Sequence, residues 1–446
     1  MMNLTLLTGR LNGNSVMKNI FFALVVVATG IIFPTAFRTM DCACDANGQP
    51  GDSSFIIHHS SLKPPVWGFF AHKRINRLAV LTLPPEMMVF FKPNIDWLSD
   101  HAVDPDMRRY ATKNEAPRHY IDLDNYGPPF NDLPLGWTDA LLQHSEIFGI
   151  TERGDTIGFF GPNDPGNTIP DEKKQAYRRF FVRQILPLYF TAQEAVNTDS
   201  LLAFFREQGI MAPGASPFIS GFYRDYLSEH GILPWHLQSM QRRLTDAFRA
   251  RDAKRILRLC ADMGHYIGDA HVPLHTTSNY NGQKTEQHGI HGFWESRIPE
   301  LFADEDYDYF VGKPEYVPDP QAFFWQAVFD SNSMVDSVLG MEKALSKSFP
   351  TDRQMCPDVR NGKPVLAPCR DYSAAYQDVL QGMIERRMRA AIHAVSCAWY
   401  TAWVDAGQPD LSNMNAPVAT EAEIKEEEEL KKNYQQGKIL GRPEDH

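Results

Sequence analysis

His265-Tyr266-Ile267-Gly268-Asp269-Ala270-His271-Val272-Pro273-Leu274-His275, followed by His291-Gly292-Phe293-Trp294-Glu295, is the stretch on which the reading of this chain turns. Five of the fifteen histidines fall between His265 and His291, interleaved with carboxylates. His265 and Asp269 stand four apart, as do His291 and Glu295. On a helix, residues four apart lie on one face. Each pair then offers an imidazole nitrogen and a carboxylate oxygen to one divalent ion. Zinc accepts both donor types, and a catalytic zinc keeps one position open for water. The same residues also admit a plainer reading, as core histidines hydrogen-bonded to carboxylates and carbonyls.

Outward from that stretch the periodicity is helical. Apolar residues recur at helical offsets from about Phe70 to Leu83. Apolar stripes with charged faces run through residues 178–206, 234–267, 321–347 and 376–406. Sustained strand alternation is scarce, and Gly-x-Gly phosphate loops are absent from the sequence. Residues 123–170 are crowded with Gly, Pro, Asn and Asp, and read as long surface loops. The expected fold is therefore mostly α.

At 446 residues the chain can bury a full core, as one large domain or two moderate ones. The composition is globular, with 43% hydrophobic and 22% charged residues and a net charge of -11. That balance gives no basic footprint for long-range capture of nucleic acid. It counts less against a phosphoesterase, because bound metals supply positive charge of their own. Ile20 to Phe33 is mostly apolar, follows Lys18 and ends at Pro34. The run is short for a membrane span of about twenty residues and suits a signal-peptide core. Residues 1–36 are therefore expected to be a signal peptide, with Met17 as a possible start and Ala28-Thr29-Gly30 as a weak cleavage site. The alternative is a retained membrane anchor formed by residues 20–36. Residues 37–66, turn-rich at Gly48 and Pro50 to Ser54, read as a linker or propeptide. Residues 413–446, with Glu426 to Glu429 and Lys431-Lys432, read as an exposed charged helix or disordered tail. Export, whether secreted or periplasmic, permits a disulfide between Cys356 and Cys369, which bracket a polar loop. Cys42 and Cys44 lack the second pair of a four-cysteine zinc site.

Four motifs occur in order: Trp67-Gly68-x3-His72, His119-Tyr120-Ile121-Asp122, His265-x3-Asp269-x5-His275 with Pro273-Leu274 inside it, and His291-x3-Glu295. Together they resemble the superfamily of zinc-dependent phospholipases C and S1/P1-type nucleases. The landmarks span Trp67 to Glu295, whereas residues 300–410 match mainly in helical character. The resemblance implies a multi-helical phospholipase C/P1 nuclease-like fold with long loops, a hydrolase domain over residues 67–412, and three zinc ions. Carried onto this chain, it puts Asp104, His119, His265 and Asp269 on one zinc, with Asp269 bridging to a second. His72 and the backbone amine and carbonyl of Trp67 would complete the second site, and His275, His291 and Glu295 the third. Asp104 lies fifteen residues before His119, as the nuclease pattern requires. Asp106 is close to the phospholipase spacing and is the runner-up. Residues 101–106 also read as a turn closed by side-chain hydrogen bonds. In family enzymes the tryptophan is the mature N-terminus. Trp67 would therefore need a cut before it, or its amide could not serve as a donor and the His72 site would be altered.

A phosphate diester is anionic and repels hydroxide, so clustered zinc ions help by neutralising it and lowering the pKa of a bound water. The implied activity is hydrolysis of phosphoester bonds by a metal-activated water, with Asp269 bridging and Asp104 orienting the water. Arg108 and Arg109 do not sit at the nuclease arginine's offset and read as surface or structural residues. His271 and His236 read as structural, and His288 as a poorer substitute for His291. Three functions remain open. Glu295 and the acidic charge lean toward phospholipids, with transient contact at a membrane surface. A single-strand nuclease would need stacking rings, which Tyr126, Phe130, Phe148 and Phe159-Phe160 can offer. A non-catalytic exported zinc protein is the third, although the prospective ligands exceed what one closed four-coordinate site needs. No obligate protein partner is implied.

Overall fold

The computed structural model describes residues 69–127, 133–161, 171–187, 198–210, 217–360, 363–414, 419–437, 439–440 and 442. All belong to one unit, Leu62–His446. The expected signal peptide, the linker and Trp67 lie outside the described residues. No helix among the described residues is long and apolar enough to cross a membrane.

The chain is mostly α-helical. Six helices position the site and its surroundings: α1 (Phe69–Thr82), α2 (Leu233–Ala250), α3 (Ala253–Ala270), α4 (Pro320–Asn332), α5 (Met383–Asp405) and α6 (Glu421–Gln436). The helical stretch expected over 234–267 is two helices. Arg251 takes a left-handed conformation (φ 53°) between them. Asp252 then caps α3, its carboxylate accepting the Arg255 backbone N–H at 3.0 Å, a contact worth about 1 kcal/mol. At the other end of α3, the Ser331 hydroxyl donates to the Ala270 carbonyl (2.6 Å) and Arg387 Nε to the His271 carbonyl (2.9 Å). Carbonyls left over where a helix ends thus find donors. The stretches over 321–347 and 376–406 are likewise each divided between two helices, the second break falling at Gly382 (φ 74°).

Residues 123–170 depart from the expected loops. They contain a helix, Trp137–Gln143, and strands β1 (Ser145–Thr151) and β2 (Thr156–Phe159). With β3 (Phe218–Asp225) they form an antiparallel sheet in the order β2-β1-β3, pairing Ile147 with Phe159 and Phe148 with Phe222. The central strand is largely buried on both faces, so its sequence carries no clean polar alternation. A hairpin of β4 (Met355–Arg360) and β5 (Lys363–Pro368) is closed by the Cys356–Cys369 disulfide. Arg297 ties this hairpin to the helical segment 290–306, donating to the Pro368 carbonyl and to Asp358, each at 3.0 Å.

Two apolar cores result. The larger gathers Trp235, Phe248, Trp399, Ile75 and Ile267; the smaller gathers Ala71, Leu274, Ile290, Phe293 and Tyr376. α1 contributes Ala71 to one and Ile75 to the other, and His72 stands at the seam. α1 approaches α3 closely because Gly264 and Gly268 leave room. A Cβ on Gly264 would come within 1.7 Å of Asn76 Oδ1, and one on Gly268 within 2.9 Å of His72 Nδ1. Asn76, fully buried, donates to the Leu98 and Ala261 carbonyls and locks this approach.

Candidate metal centre

The seam between the cores is polar. His72, Asp106, His119, His265, Asp269, His275, His291 and Glu295 meet there, none more than 7% exposed. α3 supplies His265 and Asp269 from successive turns. A carbonyl can only accept, so His265 Nδ1 carries the proton it donates to the Ala102 carbonyl at 2.9 Å. That bond fixes the tautomer and leaves an Nε2 lone pair facing the cluster. Nε2 lies 3.1 Å from His119 Nδ1, 3.4 Å from Asp269 Oδ2 and 3.6 Å from Asp106 Oδ1.

Asp269 faces two ways. Its Oδ2 lies 3.0 Å from His119 Nδ1, while Oδ1 lies 3.4 Å from His72 Nε2 and 3.8 Å from His275 Nε2. Glu295 repeats the pattern, with Oε1 3.3 Å from His72 Nε2 and Oε2 3.4 Å from His275 Nε2 and 2.7 Å from His291 Nε2. Three donor sets emerge: Asp106, His119 and His265; His72, His265 and Asp269; His275, His291 and Glu295. Within each, the ligand atoms lie within 4.8 Å of one another.

The loop bearing His119 is held from both sides. Ile121 donates its backbone N–H to the His275 carbonyl at 2.9 Å, joining two ligand segments. Glu115, fully buried, accepts the Tyr266 hydroxyl and pairs with Arg118 at 2.8 Å and Arg108 at 3.4 Å. Burial alone would raise the Glu115 pKa, but the two arginines hold it below the usual carboxylate value. Glu295 sits in a π-helical turn, Phe293–Arg297. Burial would raise its pKa too, and contacts with His275, His291 and His72 hold it well below the ordinary range instead.

The structure separates two aspartates that spacing left open. Asp104 is in none of the donor sets; its Oδ2 lies 2.7 Å from His101 Nδ1. Asp106 stands in the place expected of Asp104. The physical reason is helical phase. Both residues lie in the short helix Asp104–Arg108, where a step of two residues turns the side chain by about 200°. Arg108 pairs with Asp262 at 2.9 Å as well as with Glu115. Arg109, 1% exposed, reaches within 3.9 Å of Asp106 Oδ1, a neighbour of the cluster that spacing did not identify. His271 Nδ1 donates to the Ile267 carbonyl at 2.7 Å, and burial beside Arg387 pushes its pKa down to about 3. His236 packs edge-on against Tyr266, and His288 is exposed. The rings proposed for base stacking already pack on neighbours: Tyr126 on His144, Phe148 on Phe222, Phe159 on Phe205 and Phe160 on Tyr177. Phe130 lies outside the described residues.

No protein-family model matches this chain, and no curated protein matches it. The donor chemistry fits divalent metal. Burial, with His265 beside His119 and His72 beside His265, pushes both imidazoles well below the ordinary histidine pKa, so they are neutral donors. Asp106, Asp269 and Glu295 bring three carboxylates into one buried cluster. Buried carboxylates need opposing charge, more than neutral imidazoles supply, and divalent ions among them would provide it. Each of the three sets could hold a metal ion, which is consistent with several sites rather than one.

Proposed function

We propose that this protein is an exported zinc-dependent hydrolase of phosphate diesters, akin to zinc phospholipases C and S1/P1-type nucleases, and that phospholipids are its preferred substrates. The observation that carries the reading is the pair of carboxylates, Asp269 and Glu295, each turned toward more than one imidazole. Such sharing suits closely spaced ions, and three divalent ions against three carboxylates leave a positive centre for an anionic diester. When bound, zinc neutralises the diester and lowers the pKa of a coordinated water. His119 and His265 would hold one ion with Asp106 and Asp269. His72 and Asp269 would serve the second, and His275, His291 and Glu295 the third. Asp106 takes the water-orienting role that the resemblance implied for Asp104. Arg109, at 3.9 Å, steadies the Asp106 carboxylate.

Glu295 matches the phospholipase pattern where nucleases usually carry aspartate, and the net charge of -11 disfavours long-range capture of nucleic acid. The test compares zinc-loaded protein on two substrates: phosphocholine released from phosphatidylcholine vesicles, and nucleotides released from denatured DNA. Phosphocholine release supports the proposal. Nucleotide release alone makes the protein a single-strand nuclease, and bound zinc without either product makes it a non-catalytic zinc protein. N-terminal sequencing of exported protein would establish whether Trp67 becomes the terminal amine.

A further inference from the structure

The C-terminal region does something its sequence does not announce. α6 is tethered by Glu423, which caps its own helix with Thr420 and pairs with Lys254 and Arg258. Tyr434 lays its ring 5.5 Å from Phe69 and 5.0 Å from Tyr110. Beyond the helix, Leu440 donates its backbone N–H to the Arg109 carbonyl, and Arg109 Nη2 donates to the Arg442 carbonyl, each at 2.9 Å. The Arg442 guanidinium then enters a cage. It lies 4.0 Å from the Tyr120 ring centroid and 3.6 Å from that of Tyr280, donates to Asp122 Oδ1 at 2.6 Å and to the Thr277 carbonyl at 3.2 Å. Two aromatic faces and a carboxylate are what a planar cation selects.

The contacts of Leu440 and Arg442 fall next to metal-ligand candidates. Arg109 touches Asp106, Tyr120 and Asp122 follow His119, Thr277 follows His275, and the Tyr280 ring lies edge-on to His291 at 6.4 Å. We infer that α6 with Leu440 and Arg442 forms an inhibitory strap over the metal centre, with Arg442 as a plug in the Tyr120–Tyr280–Asp122 cage. The inhibitory part rests on the centre being catalytic, as proposed above. The α6 end of the strap is held the more loosely. None of the residues of α6 is buried, and Lys254 and Arg258, which pair with Glu423, are solvent-exposed cations that salt reaches, whereas the Arg442–Asp122 pair is largely out of water. A cavity of about 790 Å³ separates the helix from the body, lined by Arg243, Arg255, Arg258, Asp262 and Glu427 among others.

Two variants of the full-length zinc-loaded protein test this, Arg442→Ala and a deletion of residues 438–446, with thermal unfolding to verify that both fold. The first readout is the rate at which a chelator extracts zinc; the second is turnover of a soluble chromogenic phosphodiester. Both variants are expected to release zinc severalfold faster and turn over severalfold faster, and raised salt is expected to move wild type in the same direction. Faster extraction without turnover in any form supports the strap and removes the hydrolase reading. Wild-type extraction rates in both variants, or turnover that falls when Arg442 is lost, overturn the strap.

Discussion

Replacing Gly268 by alanine tests how the His72 donor is placed. The added Cβ would stand 2.9 Å from His72 Nδ1 and 3.1 Å from Cε1, where ordinary contact begins near 3.4 Å. The ring must therefore retreat by about 0.5 Å. Metal–ligand distances tolerate only about 0.2 Å, so the set of His72, His265 and Asp269 should bind zinc about 10–100-fold more weakly, the scale of a displaced supporting group. Overpacking at the helix contact should cost about 1–3 kcal/mol of stability. Titration against a competing chelator, with thermal unfolding alongside, reads both effects. The expected result is roughly one zinc fewer per chain at limiting metal, with a folded protein. Gly264→Ala is the contrast: its Cβ meets Asn76 rather than a ligand, so it should lower stability more than zinc affinity. If Gly268→Ala binds as many ions as tightly as wild type, the close approach of α1 to α3 does not set the site, and the argument fails.

Three further outcomes follow from the geometry. Asp106→Asn should strip zinc and activity by at least about tenfold, whereas Asp104→Asn should leave both near wild type; metal analysis of the two variants decides between the aspartates. Replacing Cys356 and Cys369 together by serine should cost about 3 kcal/mol in denaturant titrations, as expected when a short loop is released. His236 is buried and its pKa is held well below the ordinary value by burial, then by Arg118. Because its folded pKa is depressed, the unfolded chain takes up the proton first, so this contribution holds above about pH 6.5 and is lost as pH falls toward the folded value. His236→Phe should flatten the apoprotein's stability as pH falls below about 6.5, and an unchanged slope would show that His236 is not buried neutral.

Much of the centre was legible because its donors recur at helical spacings. His265 with Asp269 and His291 with Glu295 declare a shared face by their spacing alone. Spacing alone did not separate Asp104 from Asp106, because counting to His119 ignores phase, and a two-residue step inside Asp104–Arg108 carries a side chain to the opposite side. β1 was hidden because a strand buried on both faces shows no alternation, and the glycines of residues 123–170 suggested loops. Nothing in the sequence marks Gly264 and Gly268 as places of close approach, since only the proximity of Asn76 and His72 reveals what they permit. The course of Leu440 and Arg442 was illegible for another reason. A tail that pairs with Asp122 and Tyr280 leaves no local periodicity, and the Glu426–Glu429 run beside it suggests solvent.

The π-helical turn at Phe293–Arg297 bears on how this protein can change over generations. Ile290–Gly292 before it carries His291, and Ile298–Asp306 after it packs Ile298, Phe302 and Ala303 into the smaller core. A π turn holds a wider ring than an α turn, so the two halves run out of helical step with each other. Deleting a single residue here would swing one half by about 100° against the other. Either Glu295 would turn from His275 and His291, or Phe302 would turn from its core. Point substitutions at partly exposed Arg297 leave that phasing untouched. A change of length does not, so the chain's freedom to gain or lose residues should stop at this turn.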